Sequence, residues 1–180
     1  GYYAIDVTNP SDWTSETAIA GKVLWEFTDE DMGYSYGRPI IAKTARDGWV
    51  VILSSGYNNA SGKGWLYILN AKTGELLGPS AGATPAYTTG PGTAASPSGF
   101  AQIEGYTPSY QDYTLDYVYG GDLNGDLWRF DFSNILDDLP PVTKCSRRMG
   151  GEAGKKSPGA GDASRRPGRS EEHTSELQSR

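Results

Sequence analysis

Apolar residues in this chain come in short runs, and turn-forming residues punctuate them. Lys22-Val23-Leu24-Trp25-Glu26-Phe27 alternates apolar and polar positions, while Arg38-Pro39-Ile40-Ile41-Ala42 and Trp49-Val50-Val51-Ile52-Leu53 are nearly unbroken apolar stretches. Short runs rich in β-branched and aromatic residues, bounded by Gly, Pro, Asn or Asp, predict strands. Asp47-Gly48 and Asn124-Gly125 stand between such runs and predict hairpins. For Asn124-Gly125 a type I′ turn is expected, because both residues tolerate positive φ. No sustained 3.6-residue period appears, so helix is expected to be scarce.

One pattern recurs. Gly1-Tyr2-Tyr3-Ala4-Ile5-Asp6, Gly64-Trp65-Leu66-Tyr67-Ile68-Leu69-Asn70 and Gly125-Asp126-Leu127-Trp128-Arg129-Phe130-Asp131 each run from a glycine, through an aromatic-bearing strand, to an acid or amide. Asp6 to Asn70 is 64 residues and Asn70 to Asp131 is 61. A fixed period of this order points to a propeller or solenoid. The closing Asp or Asn has a local role, since its side chain bonds the backbone just ahead and opens a turn. Asn70-Ala71-Lys72-Thr73-Gly74 shows this, with Gly74 free to take positive φ.

The expected fold is therefore all-β. It is an incomplete β-propeller of about two blades of antiparallel four-stranded sheets, with one full blade near residues 36–77 and pieces on either side. Such a fragment leaves apolar blade faces uncovered, because a blade buries its faces against its neighbours. A small β-sandwich is the alternative fold.

Composition changes the picture at the C-terminal end. Residues 1–138 form the propeller segment. From residue 139 to 180 the chain has almost no large apolar residue, and such a stretch is expected to stay unstructured. Its last twelve residues, Arg169 to Arg180, resemble the conceptual translation of a sequencing-library adapter. The tail is thus expected to be non-native, through a frame shift followed by adapter sequence. The single histidine, His173, falls there, and Cys145 is the single cysteine. The opening on Gly1-Tyr2-Tyr3, already inside a strand pattern, is expected to mean that the natural N-terminus lies further upstream.

Five Trp and twelve Tyr against four Phe suit half-buried pleated surfaces. A formal net charge of −6 argues against a nucleic-acid partner. No apolar run approaches the ~18 residues of a membrane-spanning helix. The stretch from Pro79 to Ser98 reads as a long surface excursion. Its serines have no histidine or cysteine partner within the propeller segment, which excludes histidine-based triad catalysis there. Trp25, Trp49, Trp65, Tyr67 and Trp128 are expected to pack between blades, with an exposed carbohydrate-binding or surface-binding face as the minor reading.

An ordered series of segments resembles the propeller domain of the PilC/PilY family of type IV pilus proteins. It runs through residues 1–10, Val23 to Asp29, Met32 to Ile41, Gly56 to Asn59, Gly62 to Gly64 and Leu66 to Leu69. It ends in Tyr117-Val118-Tyr119-Gly120-Gly121-Asp122-Leu123-Asn124-Gly125-Asp126-Leu127-Trp128-Arg129-Phe130-Asp131, the most specific run. The resemblance implies a secreted or cell-surface protein at the pilus tip, associated with the outer membrane. Its implied work is to support pilus biogenesis, oppose retraction and contribute to adhesion. Pilins and minor pilins are the implied partners, with a host or abiotic surface as the target. No hydrolytic or redox catalysis is implied.

It also implies a calcium loop ahead of the Tyr117 strand. Carried over by position, the metal ligands fall on Asp112, the Thr114 carbonyl and Asp116. The two remaining positions, Pro108 and Tyr110, supply no carboxylate or amide. The site is therefore expected to be degenerate or weak. Asp122-Leu123-Asn124-Gly125-Asp126 imitates the start of an EF-hand loop without its closing Glu, and reads better as a turn. Asp29-Glu30-Asp31 reads as a solvated turn, and Arg38 as a cation able to pair with one of the acids.

Two other functions compete. The Gly64–Gly74 unit also resembles repeats of pyrroloquinoline-quinone dehydrogenases, although the adjacent cysteines of many such enzymes are absent. A scaffold propeller of an outer-membrane assembly machine is the other.

Overall fold

The computed structural model describes residues 1–77, 86–109, 111–133 and 142–147. They form three antiparallel sheets. The first pairs β1 (Tyr2–Ile5) with β2 (Val23–Phe27). The second runs in order through β3 (Ile40–Thr44), β4 (Gly48–Ser54), β5 (Trp65–Asn70) and β6 (Leu76–Leu77), and β7 (Ala86–Thr88) also pairs with β5. The third runs through β8 (Phe100–Tyr106), β9 (Tyr117–Asp122), β10 (Asp126–Asp131) and β11 (Val142–Arg147). Among the described residues helix is confined to the β1–β2 connection, in a 3₁₀ turn at Pro10–Asp12 and a short α-helix, α1 (Glu16–Ala20).

The sequence repeat maps onto this architecture. Each repeated unit is a strand paired with the strand that follows it: β1 with β2, β5 with β6, β10 with β11. In the second and third sheets it is the third of four strands in a meander. The second sheet is thus one full blade, the third is another, and the first is the outer half of a blade. No sheet among the described residues closes on itself, and the fold is an incomplete β-propeller.

The middle blade explains its own unbroken apolar runs. Neighbouring residues of a strand point to opposite faces. Val50, Ile52, Leu66 and Ile68 pack with Phe100, Ile103, Val118 and Phe130 of the next blade. Val51, Leu53, Tyr67 and Leu69 pack toward Tyr2, Trp25 and Phe27 of the half-blade. A strand buried on both faces has no polar position to alternate with. By contrast β8 alternates, with Gln102 and Glu104 exposed and Ile103 buried, because one of its faces is uncovered.

Four expectations are corrected. Six residues of the segment expected to be unstructured, Val142–Arg147, form β11 along the free edge of β10. Val142 packs on the inter-blade core, and Lys144 lies opposite Trp128. The open edge of β10 supplies unpaired backbone groups, and a six-residue strand satisfies them. Residues 148–180, with His173 and the adapter-like end, lie outside the described residues, as do residues 134–141 around the expected boundary.

The hairpin at Asn124-Gly125 is not type I′. Among these residues only Gly125 has positive φ, at 80°, and its amide donates to the Asp122 carbonyl at 3.1 Å. This is the three-residue loop with a left-handed glycine. Part of the Pro79–Ser98 stretch is also anchored. β7 extends the sheet at the start of β5, Tyr87 is buried, and Gly62 and Gly92 let two backbones meet where any Cβ would collide with main chain. Residues 79–85 of that stretch lie outside the described residues. Finally, Trp49 does not pack between blades. It is 59% exposed, at the start of β4 opposite Lys43.

Candidate functional site

The connection from β8 to β9 carries Asp112, Thr114 and Asp116. Leu115 anchors it, fully buried in the inter-blade core, with its amide donating to the Lys43 carbonyl at 2.8 Å. The backbone of Asp116 is held on two sides. Its amide donates to the Tyr106 carbonyl at 3.0 Å, and its carbonyl accepts from the Phe132 amide at 2.7 Å. Asp112 closes a tight turn, its Oδ1 accepting from the Thr114 amide at 3.1 Å. Tyr113 between them takes φ of 55°, an uncommon conformation for a side chain of its size.

The loop has an electrostatic character that position-by-position transfer did not reveal. The Asp116 carboxyl sits above the ordinary carboxylate range, first through partial burial, then through the negative charges of Asp131 and Asp112. Asp131 is the closing residue of the third repeat, at the end of β10 across from Tyr117. Its Oδ1 accepts from the Ser133 amide at 3.0 Å, and its Oδ2 lies 3.8 Å from the Arg129 guanidinium. The signal that could have found it was register: an acid ending β10 must lie beside the residue that begins β9.

Calcium asks for about six to eight oxygens. Asp112 already spends one oxygen on the turn, and Pro108 has no donor side chain. Tyr110 lies outside the described residues. Among the described residues no group of three or more His, Cys, Asp or Glu side chains gathers as a metal cage. The donor set is therefore short of a full coordination sphere.

The other acidic runs serve the backbone. Asp122 accepts from the Asp126 amide at 2.9 Å through Oδ1 and from Trp128 Nε1 at 2.9 Å through Oδ2, which makes it the organiser of its turn. Asp29 accepts from the Asp31 amide, and Asp31 from the Ser61 amide, both at 2.9 Å. Arg38 is exposed and makes no ion pair among the described residues. Of the aromatics expected between blades, Tyr67 and Trp128 are buried, and Trp25 and Trp65 pack partly buried against the first interface.

Known proteins resemble this chain in sequence and fold. The family described as the PilY1 β-propeller domain matches residues 1–154. The chain belongs to that family. A type IV pilus biogenesis factor PilY1 homolog from Xylella fastidiosa is 33% identical over 135 residues, 73% of this chain and 9% of the relative. PilY1 of Pseudomonas aeruginosa strain UCBPP-PA14 is 31% identical over 147 residues, 78% of this chain and 11% of its own length. The chain thus spans about a tenth of these relatives. Among solved structures, the P. aeruginosa PilY1 C-terminal domain aligns with a TM-score of 0.58 and 28% identity, over 77% of this chain and 28% of that one. No helix among the described residues is long and apolar enough to cross a membrane.

Proposed function

We propose that this chain is a propeller segment of a type IV pilus biogenesis factor at the bacterial cell surface. The observation that carries the proposal is the family match over residues 1–154, joined to relatives named as pilus biogenesis factors. In its finer form, the parent protein is secreted to the pilus tip, where it supports assembly, opposes retraction and contributes to adhesion. Pilins and minor pilins are its partners there, and a host or abiotic surface is its target. The role is one of binding and scaffolding rather than catalysis.

A weak calcium site at Asp112, the Thr114 carbonyl and Asp116 is part of the proposal. What supports it is the negative charge that Asp131 and Asp112 add around a partly buried Asp116 carboxyl. Bound calcium would offset that repulsion and order the loop.

The test is a graft. Residues 1–147 replace the matching segment of P. aeruginosa PilY1 in a strain lacking its own copy. Surface pili and twitching should return, and pilins should co-purify with the chimera. A chimera that reaches the surface yet restores neither pili nor pilin binding overturns the proposal.

A further inference from the structure

Two turns stand side by side at one end of the second sheet, residues 45–47 between β3 and β4 and residues 71–74 between β5 and β6. Between them opens a cleft of about 490 Å³, lined by Asp47, Trp49, Asn70, Ala71, Lys72 and Thr73. All six residues belong to the second sheet and its turns, so the cleft is formed within one full blade.

The blade repeat does not require an indole here. Asn70 pairs with Val50, and Asp131 with Tyr117, so Trp49 corresponds to Asp116 in the third sheet. One blade places an aromatic at this position and the other a carboxylate. The exposed indole is thus particular to the second blade.

The walls of the cleft are held in place from within. Asn70 Oδ1 accepts from the Lys72 and Thr73 amides, and the Ala71 amide donates to the Trp49 carbonyl at 3.1 Å. The Asn70 Nδ2 donors have no partner among the described residues. The Arg46 guanidinium fixes the Asp47 carboxylate, with Nε 3.1 and 3.0 Å from its two oxygens. A carboxylate has about four lone-pair sites, so Asp47 can still accept hydrogen bonds.

We propose that this cleft binds a neutral pyranose sugar. The apolar C–H face of the ring lies on the Trp49 indole. Asp47 accepts from two adjacent hydroxyls, while Asn70 Nδ2 and the Lys72 ammonium donate to hydroxyl oxygens. A hydroxyl both donates and accepts, which suits a cleft holding one acceptor and two donors. An anion would be repelled by Asp47 and a cation by Lys72. An aromatic platform ringed by a few convergent polar groups is the composition of a small-molecule site. The inference does not depend on the pilus role.

The probes are methyl α-mannopyranoside, methyl β-glucopyranoside and methyl β-galactopyranoside, added separately to the full chain. Nuclear magnetic resonance of indole and backbone N–H groups reads the cleft. At least one probe should shift Trp49 Nε1–H and the amides of residues 70–73, half-saturating at about 1–10 mM, as expected of a single sugar in an open cleft. Trp49→Ala should abolish the shifts at residues 70–73. Trp49→Phe keeps a ring and should bind severalfold more weakly, a variant that does not rely on the alanine protein folding. Asp47→Asn should weaken binding by about tenfold, the loss of a hydrogen bond to a charged group. Absence of shifts with all three sugars, or shifts unchanged in Trp49→Ala, overturns the proposal. An equal response to sorbitol, which has the hydroxyls without the ring, also overturns it.

Discussion

The Tyr67 hydroxyl donates a hydrogen bond to Asp29 Oδ1 at 3.0 Å, across 38 residues of sequence. Tyr67 lies in β5, the third strand of the second sheet, and its ring meets Phe27 edge-on with centroids 5.3 Å apart. Asp29 begins the connection that leaves the half-blade. One side chain thus fastens the half-blade, its exit loop and the next blade together.

Replacing Tyr67 by Phe keeps the ring and removes the hydroxyl. Asp29 keeps its bond from the Asp31 amide, so the expected loss is about 1–2 kcal/mol, as for a part-buried bond to a charged acceptor. Chemical denaturation checks it.

The same pair sets a pH dependence. Burial, together with the facing charges of Asp29 and Asp31, holds the Tyr67 hydroxyl well above the ordinary phenol range. The folded state therefore keeps its proton when the unfolded chain loses it. The stabilisation is fully present below about pH 10 and declines as pH rises beyond that value. Tyr2 and Tyr87 are raised in the same direction, so Tyr67→Phe should flatten part of the alkaline loss of stability, not all of it. Urea midpoints measured from pH 8 to 11 would show equal slopes in both proteins if this origin is wrong.

Gly74 closes the turn after β5 with φ of 70°, and the Trp25 ring lies against it where a Cβ would stand. Trp25 Nε1 donates to the Ala71 carbonyl at 3.1 Å, so the indole cannot withdraw without losing that bond. Gly74→Ala should cost about 1–3 kcal/mol, through backbone strain and the displaced ring. A thermal midpoint equal to that of the unaltered protein would contradict the argument.

Much of this was legible in the sequence. The repeated strand ending in Asp6, Asn70 and Asp131 gave the blade period, and Val50–Leu53 announced a strand buried on both faces. The turn of Asn70 was foreseeable too, since Asn70 Oδ1 accepts from the Lys72 and Thr73 amides at 2.9 and 3.1 Å. What stayed hidden depended on tertiary edges. Nothing in Trp49 itself says that its side chain stays 59% exposed. Val142–Arg147 was concealed by averaging its alternation with a polar tail, and its place was set by the vacant edge of β10, where Leu127 pairs with Ser146 and Phe130 with Val142. The charge around Asp116 comes from Asp131, a residue that the linear motif does not contain.

That late strand has its own test. Lys144 Nζ pairs with Asp126 Oδ2 and lies 5.5 Å from the Trp128 ring centre, while Asp126 is only 5% exposed and its Oδ1 has no hydrogen-bond partner among the described residues. Lys144→Met keeps the stem and leaves that carboxylate without its cation. Because Lys144 is partly exposed, the expected cost is about 1–3 kcal/mol, below that of a fully buried pair. Amides of Val142–Arg147 should exchange faster while those of β9 keep their protection. Uniform exchange across both strands would mean that the pair does not fasten β11.

The calcium reading makes the sharpest demand on a few atoms. Asp112 and Asp116 flank the Thr114 carbonyl, and water or further carbonyls must complete the sphere. With so few anionic ligands the expected affinity is about 10⁻⁴–10⁻³ M, the range of extracellular modules. Calorimetric titration of the chain should then show weak binding that Asp116→Ala abolishes. Asp131→Asn removes one of the repelling charges without touching the implied ligands. If Asp131 acts only through its field, this variant should weaken binding severalfold rather than abolish it. Asp112→Ala also loses the turn bond to Thr114, so its loop should loosen even without metal. Should the unaltered chain take up no calcium at about 5 mM, well above that affinity range, the acids serve only to shape the turn, and the calcium part of the proposal fails.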